Sequence, residues 1–106
     1  MSENEVLEKI AAQFASDAGV NVAKWFGKPC VRVGKKVFIV QWGSNLAFKL
    51  GGEAIDEALK MPGAHLFDPR GQGHPMKEWV QIPLAQASAW DKFSEMAYTN
   101  ALIAEE

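Results

Sequence analysis

The hydrophobic rhythm of this 106-residue chain changes twice along its length, and those changes restrict the fold more than any motif does. Val6, Leu7, Ile10, Ala11, Phe14 and Ala18 recur at three- and four-residue intervals, which lays a single apolar stripe along a helix. Ser2 and Glu5 have capping-box spacing ahead of that stripe and Gly19 supplies a stop, so a helix is expected from about Glu3 to Ala18. From Pro29 to Leu50 the period drops to two. Cys30 to Val33, Lys36 to Trp42 and Leu46 to Leu50 read as strands joined at Gly34-Lys35 and Gly43-Ser44-Asn45. Turns that short force antiparallel neighbours, because a parallel pair needs a long crossover.

Gly51-Gly52 breaks the strand pattern, and Glu53 to Lys60 reads as a short helix whose early acids suit its N-terminal dipole. Met61-Pro62-Gly63 ends it. Ala64 to Phe67 and Met76 to Ile82 are two more strands, separated by the loop Asp68 to Pro75. Past Pro83, Leu84 to Ala104 returns to helical spacing, with Ala89, Trp90, Phe93, Met96, Ala97 and Ala101 on one stripe. The expected fold is α+β and two-layered: an antiparallel-dominated five-stranded sheet covered by helices, in the order α-β-β-β-α-β-β-α. Both long helices are expected on one sheet face, leaving the other partly open. A chain of this length makes one domain, residues 1–106.

Eleven Lys and Arg against thirteen Asp and Glu give no basic excess of the kind that draws a protein onto phosphate backbones, so nothing in the charge asks for nucleic-acid binding. The single Cys30 forms no internal disulfide. No N-terminal run reads as a signal peptide, and no stretch approaches the ~20 apolar residues that span a bilayer, so the expectation is cytoplasmic, without a membrane partner.

Chemistry-bearing groups are sparse. His65, Asp68 and His74 lack the tight Cys and His pairs of zinc sites, so no metal is expected. Cys30 at a strand start reads as a small buried hydrophobe rather than a nucleophile. Gly27 to Lys36 fails as a phosphate loop, since six residues separate its glycines and no Ser or Thr follows the lysine. Neither catalytic residues nor a cofactor are expected.

Three sets of binding candidates remain. Arg70, His74 and Lys77 present positive donors around the glycines of the Asp68–Lys77 loop, an anion or small-ligand candidate. Trp25, Phe26, Trp42 and Trp79 are aromatic contact candidates for a protein partner or self-association, on the uncovered sheet face or a strand edge. Lys24, Lys28, Arg32, Lys35 and Lys36, with Trp25 as a stacking group, form the alternative, a nucleic-acid surface.

Several segments together carry a family likeness: Phe26-Gly27-Lys28-Pro29 running into Val31-Arg32-Val33-Gly34-Lys35-Lys36-Val37-Phe38, Met61-Pro62-Gly63-Ala64, and Pro75-Met76-Lys77-Glu78-Trp79-Val80-Gln81-Ile82-Pro83. From about Trp25 to Ala101 the chain resembles the N-terminal domain of the TfoX (Sxy) competence regulators and, more loosely, the YjbR (MmcQ-like) family. The resemblance implies an α-β3-α-β2-α fold and a regulatory role exercised through contact with other proteins, without catalytic residues. For the YjbR side it implies DNA binding.

Overall fold

The structure is a computed structural model that describes residues 4–14, 19–25, 27–43, 45–68 and 76–103, with side chains at 4–6, 76 and 77 excepted. The first helix, α1 (Asn4–Ala12), is shorter than its apolar stripe, and Phe14 is buried from the turn that follows it. The proposed cap at Ser2 and the stripe's end at Ala18 lie outside the described residues.

The next segment corrects the sequence reading. Val20–Trp25, expected to be a connection, is a strand, β1, so the sheet has six strands rather than five. Val20 and Val22 flank Asn21 at strand spacing, a β-branched alternation that favours a pleated, half-buried surface. Gly27 at φ 74 supplies the left-handed turn residue that folds β1 onto β2 (Lys28–Val33), with Trp25 opposite Lys28.

The chain continues as a meander through β3 (Lys36–Trp42) and β4 (Asn45–Lys49), then α2 (Glu53–Leu59), β5 (His65–Phe67) and β6 (Met76–Ile82). All pairings are antiparallel and the spatial order is β1-β2-β3-β4-β6-β5. β4 and β5 therefore run parallel with β6 between them, which is why a helix-containing connection joins those two. The molecule is α+β, as the periodicity implied. The last helical segment is not one helix. Leu84–Ala89 is 3-10, interrupted at Gln86 (φ −110, ψ 28), and only Trp90–Ile103 is α-helical, α3. Pro83 is itself extended (φ −71, ψ 160), and the Leu84 N–H donates to Asn45 Oδ1 at 3.1 Å, tying this start to β4.

The helices share one core with one side of the sheet. Leu7, Ile10, Phe14, Phe93, Ala97 and Ala101 share one buried cluster with Val31, Phe38, Ile39, Phe48 and Val80 of the sheet. A bulge between Val31 and Arg32 pairs Ile39 with Val31 but Val37 with Arg32, so Phe38 is the extra residue. That extra residue lets Phe38 and Ile39 both enter the helical core, with no exposed surface on either. Phe38 meets Phe14 edge-on at 6.0 Å and Tyr98 at 5.8 Å, while Tyr98 stacks on Phe14 at 4.5 Å. Directional ties add to this packing. Trp90 Nε1 donates to the Ile82 carbonyl at 3.3 Å, and Lys36 Nζ donates to the Ala101 carbonyl at 3.2 Å, near the negative end of α3. Lys92 of α3 pairs with Glu57 of α2. Among the described residues no helix is long and apolar enough to cross a membrane.

Candidate functional site: the helix-free sheet face

Register fixes which side chains occupy the other side of the sheet. Ala23, Cys30, Val40 and Ala47 align across β1 to β4, and two residues along, Trp25, Lys28, Trp42 and Asn45 form the next row. Arg32 and Asn21 share this parity at the opposite end of β1 and β2, as does Lys49, which pairs with Trp79.

This face has a core of its own. Cys30, Val40, Ala47 and Phe67 have no exposed surface and Trp79 keeps only 5%, although no described helical residue belongs to the cluster. Among the described residues the cover comes from the sheet itself. Trp25 stacks on Trp79 with ring centroids 5.0 Å apart, Trp79 meets Phe67 at 6.2 Å, and Phe67 meets Trp42 edge-on at 5.0 Å. In a flat sheet β1 and β6, four strand positions apart, would be separated by about 19 Å. Trp25 lies at one end of β1, whereas Trp79 lies toward the opposite end of the face. Only a sheet coiled along that diagonal brings the two corners together, the direction in which twist accumulates across several strands. The partly open face of the sequence reading is thus folded over its own centre. Trp25 and Trp42 remain half-buried at its outer surface.

Cations surround this aromatic cluster. Lys28 Nζ stands 5.4 Å from the Trp42 ring centroid, within cation–π range. Arg32 Nε donates to Asn21 Oδ1 at 3.1 Å, which holds the guanidinium at the exposed end of the face. Lys49 is half-buried at the same end. No carboxylate pairs with Lys28, Arg32 or Lys49 among the described residues. Charge is segregated throughout the fold, a feature the small net charge conceals. The α-helices carry Glu5, Glu8, Glu53, Asp56, Glu57, Asp91 and Glu95 against Lys9 and Lys92. The strands carry Lys24, Lys28, Arg32, Lys36, Lys49 and Lys77 against Glu78.

The structure sorts the candidate residues. Trp25, Trp42 and Trp79 come together in one cluster, whereas Phe26 lies outside the described residues. Of the basic group, Lys28 and Arg32 share the helix-free face, Lys24 has the parity of the helical face, Lys35 sits in the β2–β3 turn, and Lys36 is tied to α3. The five cations that look contiguous in sequence therefore do not form one patch. Arg70 and His74 lie outside the described residues, and of Lys77 only the β6 backbone is described. Lys49 and Phe67 escaped the sequence reading, although the alternation of Lys49 with buried Phe48 was a usable signal for the first.

Cys30 lies under the aromatic cluster. Burial pushes its thiol pKa up, partly offset by a backbone hydrogen bond with Ala23 and by the nearby Arg32 charge, so the thiol is protonated at neutral pH. A buried, protonated thiol is a poor nucleophile. His65 Nδ1 lies 2.8 Å from the Leu66 carbonyl, on the exposed edge strand. Among the described residues no three His, Cys, Asp or Glu side chains gather as a metal site would need. A concavity of about 470 Å³ lies between α3 and the β4–α2 junction, lined by Gly51, Ala54, Met96 and Asn100 among others. It is a wide groove whose lysine, Lys92, is already engaged by Glu57.

No family model matches the sequence, and no curated protein or solved structure is detectably similar to it. The likeness to the TfoX and YjbR domains therefore stands on the segments that suggested it. The structure places Gly27-Lys28-Pro29 at the β1–β2 turn and Trp79-Val80-Gln81-Ile82-Pro83 at the end of β6, and adds β1 to the order that the likeness implies.

Proposed function

We propose that this chain is a non-catalytic contact module, a TfoX N-terminal-like domain of the cytoplasm that engages a protein partner through the helix-free face of its sheet. One observation carries the reading: Trp25 and Trp42 stay half-buried on a face whose other aromatic residues are buried, beside cations with no described carboxylate partner. Aromatic residues beside Arg are the composition enriched in protein contact surfaces. The raised thiol pKa and burial of Cys30 argue in the same direction, away from nucleophilic chemistry.

A photo-reactive residue tests this when placed at Val37, on the helix-free face, or at Glu53, on α2. Cross-links to a cytosolic protein are expected from position 37 and not from position 53. Equal capture at both positions, or none at position 37, contradicts the reading.

The alternative is a nucleic-acid surface, favoured by the excess of cations on the strands. It draws on Lys28, Arg32 and Trp25, since Lys24, Lys35 and Lys36 project elsewhere or are already engaged. A steep loss of affinity for an oligonucleotide with rising salt would favour it.

A further inference from the structure

Resting on the contact reading above, we infer that the helix-free face takes an acidic peptide segment, one with carboxylates at both ends of a short apolar stretch. Lys28 and Arg32 sit on the same side of β2, four residues apart, so their backbones are separated by about 13 Å. An extended partner segment has the same rise, so acids at its first and fifth positions meet the two cations together. Between them the segment passes the row that holds Cys30 and Val40, over which Trp25 and Trp42 present their half-buried rings.

Both cations are held in place. Lys28 stands over the Trp42 ring, and Arg32 is anchored through Nε, so its terminal N–H groups, which have no partner among the described residues, can grip a carboxylate with two parallel hydrogen bonds. Lys49 adds a third positive charge at the Arg32 end. A carboxylate partner supplies the negative charge that no described side chain brings to Lys28 or Arg32.

Single-stranded nucleic acid would also satisfy the cations but fits the rings less well. Successive bases need open aromatic platforms. Trp25 is already stacked on Trp79, and the Lys28 ammonium stands above Trp42.

The test uses the full chain and three fluorescent probes read by anisotropy: a Glu-Val-Leu-Val-Glu peptide, the same peptide with lysine ends, and a short oligothymidylate. The acid-ended peptide is expected to bind, to weaken with salt, and to lose about tenfold or more in the K28E/R32E variant. Both substitutions are at exposed positions, and unchanged circular dichroism and unfolding midpoint establish that the variant is folded. Equal binding of the lysine-ended peptide, or equal affinity in the reversed variant, overturns the acidic chemistry. So does tighter binding of oligothymidylate, which would make the face a nucleic-acid surface. Cross-linking from position 37 that survives in K28E/R32E defeats this inference while leaving the contact module intact; absence of that cross-link in the chain with Lys28 and Arg32 in place defeats the contact module itself.

Discussion

The two faces of the sheet are both dry, yet they are closed by different means. On one face Leu7, Ile10, Phe93 and Ala101, carried on helices, share a core with Val31, Ile39 and Phe48, and the cover is a separate layer. On the other, Cys30, Val40 and Ala47 are covered by Trp25, Trp42, Phe67 and Trp79, all carried on the sheet's own strands. The first closure is local in sequence, since each helix brings its whole stripe with it. The second depends on how far the sheet coils, so it exists only once β1 and the β5–β6 pair are both in place. A face made in that way offers contact surface without losing its interior.

The largest effects should come from treating both faces as core. Phe48→Ala on the helical side and Trp79→Ala on the other should each destabilise by about 3–5 kcal/mol in denaturant unfolding. A much smaller loss at Trp79 would mean that the second face is an ordinary surface. Next comes Trp90→Phe, which removes the indole N–H and its hydrogen bond to the Ile82 carbonyl, at about 0.5–1.5 kcal/mol. The helical side alone should show it, since it tests a tie between α3 and β6.

The pH dependence of Cys30 reports on the other face. Its folded pKa is raised, so above about pH 8.5 the unfolded thiol releases its proton while the folded one holds it. The unfolded state then binds fewer protons, and stability falls as pH rises, by at most about 1.4 kcal/mol per pH unit. This contribution is fully present below that pH and is lost as pH climbs toward the folded pKa. Cys30→Ala should flatten that alkaline slope; an identical slope in the variant would place the thiol in a solvated site. The smallest effect is expected at Lys36→Met, which removes a cation from the C-terminal end of α3 and should cost about 0.3–1 kcal/mol, less in high salt.

The helical face was largely legible in the sequence because the stripe of α1 and the Phe93-Ala97-Ala101 stripe of α3 repeat at helical spacing. The strand from Val20 to Trp25 was overlooked although Val20, Asn21 and Val22 alternate, because its six residues lie between a helix and a glycine turn and resemble a connection. The 3-10 opening of the last helix was hidden too, since Leu84 to Ala89 are good helix formers whose path is set by Pro83 and by the Asn45 cap. The aromatic cluster was not legible in any local window. Trp25 and Trp79 are fifty-four positions apart, and nothing near either one specifies the coil that stacks them. The basic stretch misled for the opposite reason, because strand alternation sends neighbours such as Lys24 and Lys28 to different faces.

A double-mutant cycle between Trp25 and Trp79 bears most directly on the coiled face. Trp25→Leu, Trp79→Leu and the pair together would be compared by equilibrium unfolding. A favourable coupling of about 0.5–1.5 kcal/mol is expected for indoles stacked at 5.0 Å. Strictly additive losses would contradict the coiling, leaving β1 and β6 apart and the helix-free face open.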